Sequence, residues 1–218
     1  VAFSELAEHH AASKIFRSKA ATSFAASVDK AKRVLGESGA VHAGYAELTA
    51  KADQFSRGDT KFQVKMSEAG QFEEQGNFAK ARESFLAIPK DDQGVPVSYY
   101  LRAQARGLST YVREYETAVN DAAKRTAILK AFQENAARLQ AVLDEALEKK
   151  DLRASGAAAL GLGQMYHHLE NYAKAVKTLT LFSTALAEDK YYRCSGLGYL
   201  VLSMVRIEQW KEAGTYYR

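Results

Sequence analysis

The sequence predicts an all-α protein built from repeated helical hairpins, preceded by helices that do not follow the repeat. Only two prolines occur in 218 residues, while roughly one residue in six is alanine, a balance that favours helix almost everywhere. No segment alternates apolar and polar residues with period two between turn residues, so no strand is expected. One short phrase recurs. It reads Asn77-Phe78-x-x-Ala81-x-x-x-Phe85, then Glu114-Tyr115-x-x-Ala118-x-x-x-Ala122, Asn171-Tyr172-x-x-Ala175-x-x-x-Leu179 and Gln209-Trp210-x-x-Ala213-x-x-x-Tyr217. Its alanines stand 37, 57 and 38 residues apart, and near-periodic self-similarity marks a stacked array of like units.

Composition bounds the function classes. The chain is 47% hydrophobic and 26% charged, an ordinary globular balance. The lone Cys194 excludes an intrachain disulfide and a multi-cysteine zinc site, and it fits a reducing compartment. The best apolar run, 196–205, is about half of the roughly 18 residues that a membrane span needs. A net charge of +4 permits an acidic partner but falls short of a nucleic-acid signature. The chain begins at Val1 and stops at Arg218 inside a helical pattern. Those ends fit a processed protein whose natural chain runs further, and the missing Met, the basic pI of about 9.0 and the single cysteine slightly favour the mitochondrial matrix over the cytoplasm.

The elements follow in order. Residues 1–58 carry three apolar stripes: Phe3, Leu6, Ala7, His10 and Ile15; Phe24, Val28, Ala31, Val34 and Leu35; and Val41, Tyr45, Leu48 and Ala52. They are expected to form N-terminal helices that cap the array or carry a partner surface. Asp59-Thr60 suits a helix cap. A helix, a tight turn at Gln75-Gly76-Asn77 and a second helix closing at Pro89 follow. Residues 90–96 hold charges, Gly94 and Pro96 together and read as a loop. From Val97 a pair of helices broken near Gly107 is expected, so 59–126 reads as degenerate hairpin repeats. A long inserted helix spans 127–150, with Ile128, Phe132, Leu139, Leu143 and Leu147 on its stripe. Residues 151–218 return to the repeat with helices over 152–169, 171–187, 193–207 and from about 211.

The phrase has a packing rationale. Alanine at a helix crossing lets two backbones approach. The aromatic three residues earlier fills the wedge beside the turn, and the bulky residue four later meets the next unit. The preceding helix should carry its own small and aromatic pair, as Leu162-Gly163-x-x-Tyr166-x-x-Leu169 and Ala69-x-x-Phe72 do. On these residues the hairpins resemble tetratricopeptide repeats, over a little under half of the chain. The resemblance implies an α-solenoid that binds other proteins and requires no cofactor. It also extends to sister hairpin families, including the RNA-binding pentatricopeptide kind. The family's closing proline is missing from every unit. The positions of its Lys/Asn peptide clamp are here Met66, Gly70, Leu160, Gln164, Gly198 and Leu202, so recognition of an acidic C-terminus through that clamp is not implied.

Chemistry is sparse. No G-x-S-x-G, H-E-x-x-H or Walker-type stretch occurs, so no enzyme is expected and no catalytic, cofactor or metal residue is named. His167-His168 and His9-His10 are adjacent pairs, which point about 100° apart on a helix and cannot share one ion unaided. Gly161-Leu162-Gly163 reads as a close helix contact. The carboxylates Glu73, Glu74, Asp91, Asp92, Glu145 and Glu148 are expected on solvated faces or loops, and Cys194 reads as a structural thiol. In the tetratricopeptide pattern Gln164, His167 and His168 fall on the inner groove, which makes them the candidate partner contacts. The expected function is a protein–protein interaction scaffold, an accessory subunit of a larger assembly. Helical-repeat RNA binding is the alternative, and nucleic acid is the less favoured partner.

Overall fold

The computed structural model describes residues 59–90 and 97–216. The chain divides into two compact units, residues 1–68 with 89–96 and residues 69–88 with 97–218. The expected N-terminal helices, His9-His10, Asp91 and Asp92 lie outside the described residues. Among the described residues are eight α-helices, one 3-10 turn and no strand. The helices are α1 (Asp59–Glu74), α2 (Phe78–Leu86), α3 (Val97–Thr117), α4 (Ala122–Glu148), α5 (Leu152–His168), α6 (Tyr172–Leu179), α7 (Arg193–Arg206) and α8 (Trp210–Thr215), with the 3-10 turn at Thr180–Ser183.

The joints share a local design. Gly76, Lys150, Glu170 and Glu208 have φ of 76°, 56°, 58° and 62°, and each is followed by the residue that starts the next helix. In all four joints that next N–H reaches back five residues: Asn77 to Phe72, Asp151 to Ala146, Asn171 to Tyr166 and Gln209 to Met204. This pairing satisfies carbonyls that the helix end would otherwise strand. Asn77, Asp151 and Asn171 then accept from the N–H three residues on, as does Asp121 at the start of α4. Such caps contribute about 1 kcal/mol each.

Packing follows chain order. α3 lies on α2, α4 and α5; α5 lies on α3, α4, α6 and α7; α7 lies on α5, α6 and α8. The phrase alanines Ala81, Ala175 and Ala213 are buried, as are Phe78, Phe85 and Leu179. Small residues on α5 set its close contacts. A Cβ on Gly161 would meet the Ser109 side chain of α3, and one on Gly163 would overlap Leu179 of α6. At the middle of the core Phe132 of α4 stands edge-on to Tyr111 of α3 and Tyr166 of α5, with centroids 6.2 and 6.0 Å apart.

Several expectations need correction. α3 runs unbroken through Gly107, which is buried; a Cβ there would sit 2.8 Å from that of Phe85. The glycine admits α2 and does not end a helix. Ala118 lies in the joint between α3 and α4, so the second phrase closes a leading helix instead of forming a following one. α4 starts at Ala122, ahead of residue 127, because Asp121 caps it. α6 ends at Leu179, well before 187. There the Thr180 hydroxyl bonds back to the Val176 carbonyl and the chain tightens to bury Phe182. Trp210, expected in a hairpin joint, is 61% exposed. α3 covers α2 and α7 covers α6, whereas no helix follows α8 among the described residues. Glu73 is buried, because Arg106 and Arg113 grip its two oxygens at 2.9 Å each. Cys194 is exposed, so it is not a core thiol.

Candidate aromatic and histidine site

The last turn of α5 brings Gln164, His167 and His168 out of the small-residue stretch that packs the rest of that helix. All three are half-buried. The His168 ring lies against Tyr115 at the end of α3, with centroids 4.5 Å apart and planes tilted by 32°. His167 Nδ1 is 2.9 Å from the Ser203 hydroxyl of α7. The His167 ring stands edge-on to Tyr172 at 5.3 Å and to Tyr199 at 5.5 Å. The Gln164 side chain lies beside the Tyr199 phenol, which donates to Glu116 Oε1 at 3.2 Å. Arg125 of α4 also lies over the Tyr115 ring, with its guanidinium 4.1 Å from the centroid. The three candidates therefore meet in one cluster that joins α3, α4, α5, α6 and α7.

The cluster is electrically quiet at neutral pH. Burial, then His167 and Arg125, push His168 down to about 4. Burial and Arg206 lower His167 as well. Burial and the Glu116 carboxylate raise Tyr199, so its phenol remains a neutral donor. His168 Nε2 is buried without a hydrogen-bond partner, which deepens its preference for the neutral form.

Hydrolytic chemistry does not fit this geometry. The Ser203–His167 contact has the form of an activated hydroxyl, but Ser203 is 0% exposed and no substrate can reach it. The two histidine rings stand at 79° with centroids 5.8 Å apart. Among the described residues no group of three or more His, Cys, Asp or Glu is placed to hold a metal ion. What the arrangement offers is a neutral aromatic surface edged by Glu116, Arg125 and Arg206. Tyr115, Tyr199, Ser203, Glu116 and Arg125 were not named as site residues from sequence. Only Tyr115 carried a signal, through its place in the recurring phrase.

The histidines make stability depend on pH. A folded pKa of about 4 for His168 lies below the ordinary 6.5, so the unfolded chain binds more protons between these values. Stability from this group is complete above about pH 6.5 and is lost as pH falls toward 4. Urea denaturation across that range should show the decline, and His168→Phe, which keeps a ring on Tyr115, should flatten it. An unchanged slope in the variant would refute this assignment.

No family model, no curated protein and no solved structure matches the chain. No described helix is long and apolar enough to cross a membrane.

Proposed function

We propose that the chain is a non-enzymatic protein-interaction scaffold, an accessory subunit whose tetratricopeptide-like hairpins bind a partner protein across α3, α5 and α7. One observation carries the reading. Three helices that lie on one another in succession contribute Tyr115, Gln164, His167, His168 and Tyr199 to a single half-buried aromatic cluster. Aromatic side chains that are rigid and part-covered are what protein interfaces use as anchors. The like joints after α1, α5 and α7 and the packing of α2 to α8 in chain order support the reading of stacked hairpins. The mitochondrial matrix is the compartment proposed with it, and fractionation of the tagged full chain reads that out. A photo-reactive residue placed at Glu116 or Leu202, exposed positions flanking the cluster, tests the binding mode by identifying what it captures.

A further inference from the structure

The face formed by α4 and α6 carries a second feature. Both helices lie on α5, and between them is an open cleft of about 420 Å³ lined in part by Leu143, Leu147, Tyr166 and Leu181. That volume falls within the roughly 300–1,000 Å³ typical of ligand sites. Tyr166 belongs to the floor, tied behind to Phe132, and burial raises its phenol so that it stays a neutral donor. The rim is polar and unequal in charge. Lys174 and Lys177, both exposed and one helical turn apart on α6, stand on one side. Asp144 stands on the other, and its carboxylate is engaged by the Gln140 amide at 2.8 Å. Lys174 leans over the Tyr166 ring at 5.5 Å. Neither lysine has an acidic partner among the described residues.

An apolar floor beside two exposed ammonium groups complements an occupant with a hydrophobic side chain flanked by carboxylates. A free ammonium beside an apolar surface gains most from a carboxylate that arrives with its own apolar anchor, since the anchor excludes water from the ion pair. We propose that this cleft docks an acidic peptide segment of a partner protein, seating an apolar side chain against the half-buried Leu147 and Leu181 and carboxylates on Lys174 and Lys177. The inference rests on the protein-binding reading above but uses a different face of α5.

Phage-displayed random 12-residue peptides selected on the full chain, then synthesised with a fluorescent label, test it. The expected binders combine Asp or Glu with Leu, Ile or Phe. Their affinity should fall at least about tenfold in the Lys174→Glu/Lys177→Glu variant, since each charge-assisted contact is worth roughly that factor, and should weaken as salt rises. Tyr191→Phe, exposed and outside both the cleft and the cluster, should leave it unchanged. A selection that returns no acidic peptide, or acidic binders indifferent to the charge reversal, overturns the proposal. Acidic peptides that respond to Lys174 and Lys177 while the cluster captures no protein would uphold the cleft and sink the cluster reading. The two failures are therefore separable.

Discussion

Replacing Phe132 with alanine is expected to lower the unfolding free energy by about 3–5 kcal/mol, the usual range for truncating a fully buried aromatic. The side chain is 1% exposed. It is also the point where α4 meets both neighbours, through edge-on contacts with Tyr111 and Tyr166, each worth about 0.5–1.5 kcal/mol beyond burial. The loss is large against the roughly 5–15 kcal/mol by which domains are stable. Urea denaturation followed by circular dichroism reads it directly, with Tyr191→Ala as the comparison. Tyr191 is 69% exposed and should change stability by no more than about 0.5 kcal/mol. A Phe132→Ala variant within 1 kcal/mol of the parent, well under the truncation range, would mean that α4 does not pack where the structure places it.

The second large effect reverses a propensity rule. Gly196 and Gly198 lie two residues apart in α7. On helix propensity alone, alanine at either should stabilise by about 0.5–1 kcal/mol. At Gly198 a Cβ would meet nothing within 4 Å, so the gain is expected there. At Gly196 it would collide with the Phe182 ring, which is 0% exposed and has no free space to enter. Overpacking of this kind costs about 1–3 kcal/mol, so Gly196→Ala should destabilise by that amount despite its better propensity. Thermal or urea unfolding of the two variants measures the contrast. Equal gains at both positions would remove Phe182 from its place against α7.

Much of this fold was legible because helix periodicity and joint chemistry are local. Asn77 and Asn171 cap their helices as single residues, and Ala81, Ala175 and Ala213 are buried because a crossing requires small side chains. The sequence misled where one residue type serves two purposes. Gly107 reads as a helix breaker, but the structure uses its bare backbone to admit Phe85 and Leu86. Lys150, Glu170 and Glu208 adopt positive φ without the glycine that would announce it, so the likeness among the joints was visible only in part. Trp210 matched the phrase, yet burial depends on a following helix, which no local pattern reveals. The site divides in the same way. Gln164, His167 and His168 were found because they share one helix turn. Tyr199, Ser203 and Arg125 join them only through packing of α4 and α7, and the depressed His168 follows from that enclosure.

The cluster of Tyr115, His167, His168 and Tyr199 is the proposed surface for a protein partner. With a photo-reactive benzoylphenylalanine at Glu116 or Leu202 in the full chain, irradiation in cells followed by mass spectrometry should yield discrete protein adducts. Those adducts should survive nuclease treatment and diminish when Tyr199 is replaced by alanine. Adducts to RNA, or protein adducts indifferent to Tyr199→Ala, would contradict it.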